Sequence, residues 1–152
     1  MTDNPSYLSC QTAVTHGAAQ LAQLDTLVAI NSALEVDLLG QVNAEQIGEK
    51  YLGAIGGQPD FMHAATHAEN GLSIIAMPAT SGKDGTRSRI VPKLSGPQVT
   101  TARSDVDVVV TEYGAADLRG LDVQARARAL AGIAAPHHQE QLEQVMAAEW
   151  GS

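Results

Sequence analysis

Three short segments hold residues whose types and spacing suit chemistry on an anionic or acyl ligand. In Gly56-Gly57-Gln58-Pro59-Asp60-Phe61, two adjacent glycines precede a proline suited to the first turn of a helix. Glycines let a backbone approach a ligand closely, and a helix N-terminus presents free N–H groups. The segment can hold a phosphate or the oxygen of an acyl group, or it can simply be a tight turn. Lys83, Arg87 and Arg89 put three of the nine basic residues within seven positions, as an anion site or a solvated loop would. Thr111-Glu112-Tyr113-Gly114 follows the run Val108-Val109-Val110. A carboxylate leaving a buried strand can serve as base, nucleophile or orienting group, or can cap the strand. Glu35 and Asp37 alternate with apolar residues and can point outward from a strand instead.

The remaining reactive side chains bound the chemistry further. His63 and His67 lie four apart, a spacing able to chelate a metal, but no carboxylate lies between them and no third ligand follows. His137 and His138 are adjacent at a helix start and face different ways, so no metal site is expected. Cys10 is the only cysteine, which excludes an intrachain disulfide or a cysteine metal cluster. A formal net charge of −8 argues against nucleic acid, which needs clustered Lys and Arg. No apolar run approaches the roughly 20 residues that span a bilayer, and the first residues lack the pattern of a signal peptide. A cytoplasmic protein without a membrane partner is expected.

These residues need elements to position them. The 152 residues suit one domain, 44% hydrophobic but only 3% aromatic, so aliphatic side chains must fill the interior. The pattern predicts a helix over Thr15–Leu24, strands at Thr26–Asn31 and Ala33–Leu38, and a helical turn at Asn43–Lys50. A helix then starts at Pro59 with Phe61, Met62 and Ala65 inward, followed by a buried strand at Leu72–Met77. Pro78–Gly85 reads as a loop, Ser88–Val91 and Val99–Ala102 as short strands, and Val106–Thr111 as a strand covered on both faces. Asp122 can cap one closing helix and Pro136 can begin another. Strands interleaved with helices imply an α/β fold with a largely parallel sheet.

Taken together, longer segments add a resemblance. Ile30 through Leu38, Gly40-Gln41-Val42-Asn43, Gly53 through Phe61, Ser73 through Pro78, Ser88 through Pro92, Val99-Thr100-Thr101 and Val108 through Gly120 resemble the C-terminal domain of acetyl-CoA hydrolase/transferase proteins. That family includes 4-hydroxybutyrate CoA-transferase and acetate-using CoA-transferases. The likeness is strongest over residues 26–145, within a single domain of 1–152. It departs at Pro59, where the family often has an aliphatic residue, and at Ala135, where it often has histidine.

The resemblance implies a CoA-transferase-type fold, an open, largely parallel sheet with helices on both faces. It implies ping-pong transfer of CoA between an acyl-CoA and a carboxylate such as acetate, through a glutamyl-CoA thioester. Coenzyme A enters as substrate, with no covalently bound cofactor. Gly57 resembles the residue whose backbone N–H faces the acyl oxygen, with Gly56 and Gln58 beside it at the CoA thioester. Glu112 resembles an auxiliary active-site glutamate, Lys83 a basic residue near bound CoA, and His16 a polar side chain near the thioester oxygen. The nucleophilic glutamate of the family lies upstream of the matched region, and its motif is not found here. The expectation is a CoA-binding half that depends on a partner carrying the N-terminal half, with self-association through an apolar patch left exposed. Two alternatives stay open: a non-catalytic remnant or assembly module that keeps the fold, and Glu112 as replacement nucleophile. Transferase or hydrolase, and which acyl group, are not decided by these residues.

Overall fold

The structure is a computed structural model that describes residues 4–151. Of the helix expected over Thr15–Leu24, only the four-residue α2 (Ala18–Leu21) forms, preceded by a separate four-residue α1 (Thr12–Thr15). Gly17 adopts extended backbone (φ −60°, ψ 129°) between them, so Thr15 ends a helix and caps none. Strands β1 (Val28–Asn31) and β2 (Glu35–Asp37) follow, then β3 (Val42–Asn43). The helical turn expected at Asn43–Lys50 is instead a hairpin of β4 (Gln46–Ile47) and β5 (Lys50–Tyr51). Buried Asn43 explains the difference. Its Oδ1 accepts the N–H groups of Glu45 and Gln46 while its amide donates to the Gln46 carbonyl, a local turn that competes with helix.

Helix α3 (Gln58–His67) begins with proline in its first turn and buries Met62 and Ala65, leading to β6 (Leu72–Ala76). A small hairpin, β7 (Thr80–Ser81) with β8 (Arg87–Ser88), precedes β9 (Ile90–Val91). The strand expected at Val99–Ala102 reduces to one bridge between Thr101 and Val42. Beyond a 3-10 turn at Arg103–Asp105, β10 (Val108–Thr111) turns straight back into β11 (Gly114–Asp117), a strand the sequence reading missed. Gly114 (φ 149°) makes that reversal possible, and Thr111 Oγ1 accepts the Tyr113 N–H inside it. Helix α4 (Val123–Gly132) is capped by Asp122, whose side chain accepts the Ala125 N–H at 2.8 Å. Helix α5 (Pro136–Trp150) closes the fold.

The main sheet has the order β1-β6-β10-β11, the first three parallel and the last antiparallel. Ala29, Ile75, Val109 and Ala116 point to one face, in one buried cluster with Met62 and Ala65 of α3 and Ala127, Leu130 and Ala131 of α4. Helices therefore cover that face. On the opposite face, Val28 and Ile30 are 52% and 65% exposed, and Ile74, Val108 and Val110 are half-buried. A second sheet, β3-β2-β9, buries Val36, Val42 and Ile90 completely.

Glu35 and Asp37 do not point outward. Both are buried in β2 and used by the fold. Asp37 accepts the N–H groups of Leu39 and Gln41 and the Gln41 amide, clasping a turn at Gly40 (φ 88°). Glu35 Oε2 accepts the N–H and hydroxyl of Ser95 at 3.0 and 2.9 Å.

At the end of β11, Arg119 grips Asp117 with two side-chain hydrogen bonds, and these bonds hold the Asp117 carboxyl down at about 2 from its usual 3.8. A depressed carboxyl contributes stability above its unfolded pKa that is lost as pH falls toward 2. Because the pair is exposed, solvent screening weakens both the pairing and the stability linked to it. In Arg119→Ala, a carboxyl-carbon NMR titration should show Asp117 rising toward 3.8, with a loss of stability at neutral pH that tracks the size of the rise; an unmoved Asp117 would refute the pairing.

Candidate functional site

Helix α3 joins β6 through a short link, Ala68–Gly71, and packs back along β6 and β1. Its N-terminus therefore lies at the end where the parallel strands finish. The loop after β6 and the Glu112 turn after β10 emerge there too. Open α/β sheets bind ligands at that end.

Gly56 (φ 58°) bends the chain so that Gly57 (φ −93°, ψ 4°) becomes the N-cap of α3. The Gly57 carbonyl accepts the Phe61 N–H at 3.2 Å, while its own N–H has no partner among the described residues. His16 packs directly on this backbone: a Cβ at Gly57 would fall on its Nε2 and Cδ2. The His16 ring is fixed by Thr15 Oγ1 at 2.8 Å from Nδ1 and by edge contact with Phe61, centroids 4.9 Å apart. Nε2 thus faces the glycine. His16, Gly17, Ile55, Gly56, Gly57 and Asp60 line an open recess of about 600 Å³.

Gln58, Lys83 and Glu112 are not among the residues that line that recess. Glu112 Oε2 accepts the Ala79 N–H at 2.7 Å, tying the end of β10 to the loop after β6; its Oε1 has no partner among the described residues. Lys83 is exposed at the tip of the β7–β8 hairpin, between Gly82 and Gly85, and pairs with no carboxylate among the described residues. Gln58 Nε2 donates to Thr101 Oγ1 at 3.1 Å, fixing the start of α3 to the segment beside β3. The basic cluster is smaller than expected, because Arg89 turns inward and donates to the Ala33 carbonyl at 2.9 Å. Lys83 and the exposed Arg87 remain.

Sequence reading passed over Asp60, although it stands in the first turn of the helix that Pro59 announces. It also missed a cavity of about 410 Å³ between β9 and α5, reached by Glu35, Arg87 and His138. Burial first, and then neighbouring His137, push the His138 imidazole below its ordinary pKa. His63 Nδ1 lies 3.3 Å from Asp105 Oδ1, beside His67, in a groove shared by α2 and α3. Among the described residues no three His, Cys, Asp or Glu side chains converge as metal ligands. No described helix is long and apolar enough to cross a membrane.

The sequence model of the acetyl-CoA hydrolase/transferase C-terminal domain matches residues 1–146. The chain belongs to this family. Among acetyl-CoA hydrolase/transferase relatives, the 4-hydroxybutyrate coenzyme A transferase of Clostridium kluyveri is 51% identical over 119 residues, covering 78% of this chain and 28% of the relative. The butyryl-CoA:acetate CoA-transferase of Anaerostipes caccae is 39% identical over 145 residues, covering 93% and 32%. The crystal structure of RipA from Yersinia pestis superposes with a TM-score of 0.87 at 39% identity, covering 97% of this chain and 33% of that one. The chain therefore spans about a third of the length of the relatives it matches.

Proposed function

We propose that this chain is the CoA-binding C-terminal portion of an acyl-CoA transferase or hydrolase, completed by polypeptide that supplies the nucleophilic glutamate, in a longer chain or a partner subunit. The observation that carries this reading is the unpaired Gly57 N–H beside His16 Nε2, at the end of the sheet where ligands bind. The relatives named above include a 4-hydroxybutyrate coenzyme A transferase and a butyryl-CoA:acetate CoA-transferase.

In this mechanism the partner glutamate attacks the thioester carbonyl and the C–S bond breaks, leaving a mixed anhydride and CoA thiolate. The thiolate then attacks the glutamyl carbonyl, expelling the first carboxylate and forming an enzyme-CoA thioester. A second carboxylate reverses the sequence, or water hydrolyses the thioester. Negative charge grows on the attacked carbonyl oxygen at each addition, and in this reading the Gly57 N–H and His16 Nε2 stabilise it. Glu112, held by Ala79, orients groups beside the nucleophile. Lys83, exposed at its hairpin tip, attracts the CoA phosphates, and Gly56 and Gln58 shape the thioester end of the site. The assembled enzyme is read as an oligomer. A cytoplasmic location, where thiols stay reduced, fits the unpaired Cys10.

Isothermal titration of the purified chain with CoA and acetyl-CoA, followed by a thioester-consumption assay with acetate, tests this reading. Saturable binding without turnover is the expected result. Turnover that disappears in Glu112→Ala would instead make Glu112 the nucleophile. Absence of binding would move the function to a non-catalytic assembly module.

A further inference from the structure

His63 and His67 stand one turn apart on the exposed side of α3, their ring centroids 4.3 Å from each other. What the ring nitrogens touch decides what this pair can do. His63 Nδ1 lies 3.3 Å from Asp105 Oδ1, and His67 Nδ1 lies 2.9 Å from the His63 carbonyl oxygen. An ionised carboxylate and a carbonyl can only accept, so each Nδ1 carries the proton. Thr66 agrees: its hydroxyl donates to the His63 carbonyl at 2.8 Å, and with that hydrogen committed its oxygen accepts at 3.2 Å from His67 Nδ1. Each neutral imidazole therefore keeps its lone pair on Nε2. Neither Nε2 has a partner among the described residues.

Histidines that ligate metals donate their second ring N–H to a carboxylate or a backbone carbonyl, which fixes the tautomer and raises the basicity of the other nitrogen. This pair has one acceptor of each kind. Asp105 is well placed to hold the ring, since its side chain is only 18% exposed against 63% for His63, and Ser104 Oγ donates to the same Oδ1 at 3.2 Å. Both rings line the open groove of about 500 Å³ beside α2, which leaves room for an ion and its waters.

We propose that His63 and His67 form a two-imidazole site for a late first-row divalent cation such as Zn²⁺, held by both Nε2 atoms with water completing its coordination, and that Asp105 is the positioning residue. Imidazole nitrogen suits such ions, whereas Mg²⁺ and Ca²⁺ take oxygen ligands. The sequence-based expectation of no metal site rested on a missing third ligand, and no third side chain converges among the described residues. Two imidazoles one helical turn apart still make a chelate. That chelate exists only while the turn is helical, so the ion should stabilise the folded chain. The inference does not depend on CoA chemistry.

The test titrates the metal-free 152-residue chain with Zn²⁺ alone, in a Cys10→Ser background that removes its one thiol. One ion should bind per chain, the thermal midpoint should rise with zinc, and Mg²⁺ at the same concentration should do neither. In nitrogen-15 spectra of the imidazoles, the Nε2 signals of His63 and His67 should move on binding while both Nδ1 atoms keep their protons. His63→Gln and His67→Gln, at exposed positions, should leave the midpoint in chelator unchanged and abolish its rise with zinc. Each should weaken binding by more than the roughly 10-fold that loss of an outer partner costs. Asp105→Ala should weaken it roughly 10-fold and let the His63 proton divide between its two nitrogens, a tautomer change that a merely structural defect would not produce. His137→Gln with His138→Gln should leave zinc affinity unchanged. No saturable binding, zinc held equally well without His63 and His67, or zinc-shifted signals at Nδ1 would each overturn the proposal.

Discussion

Replacing Gly57 with alanine should lower thioester turnover of the assembled enzyme roughly 100-fold or more, the usual loss when an oxyanion donor is removed, with a much smaller change in CoA affinity. The backbone itself accepts alanine, because φ is −93°. The obstacle is His16. A Cβ would lie on its Nε2 and Cδ2, so the ring must leave the recess or the Gly57 N–H must shift away from the acyl oxygen. Either movement weakens stabilisation that matters most in the transition state, so kcat should fall while KM changes little. His16→Gly in the Gly57→Ala background removes the steric conflict and should restore part of the lost rate if displacement of the N–H is the main defect. Unchanged kcat in Gly57→Ala would remove Gly57 from the proposed chemistry.

The second large effect concerns stability. Arg126→Met should lower the unfolding free energy by roughly 3–4 kcal/mol, read as a shifted midpoint in urea. Arg126 extends from α4 and donates to three carbonyls: Leu39 at 3.0 Å, Leu118 at 3.0 Å and Arg103 at 2.8 Å. These belong to the β2–β3 turn, the end of β11 and the 3-10 turn before β10. Gly40 makes room for the guanidinium, since a Cβ there would meet Nη2. Partial burial, then repulsion from Arg103, lowers the Arg126 pKa without discharging it. Methionine fills the stem but leaves the carbonyls without their donor, and part of that deficit remains even where water reaches them. Lysine should restore only part, because one ammonium cannot match a planar fork. A shift under about 0.5 kcal/mol would show that water replaces the guanidinium without loss.

Much of this was legible beforehand, for local reasons. Pro59 and Asp122 announce helix starts because a fixed φ and a side-chain acceptor act on the next few residues alone. Val108-Val109-Val110 reads as an interior strand because the pattern needs no knowledge of its neighbours. The misreadings have equally definite causes. Asn43 turns the chain into a hairpin through hydrogen bonds that its type permits but does not require. β11 is short, small-sided and begins at a glycine, and it exists because β10 offers it a ladder.

The site divides in the same way. By itself the sequence determined the reactive residue types and the family whose motifs they form, since both are properties of order along the chain. Tertiary structure alone decided that His16, separated from Gly57 by a run of loops and strands, packs against its backbone. Packing likewise turned Arg89, Glu35 and Asp37 from candidate site residues into parts of the framework, because each met a partner distant in sequence or within its own turn. The open face beside β1 belongs to this second class. Alternating apolar residues state that a strand has two faces to bury, and only the assembled sheet reveals which of them is still without a neighbour.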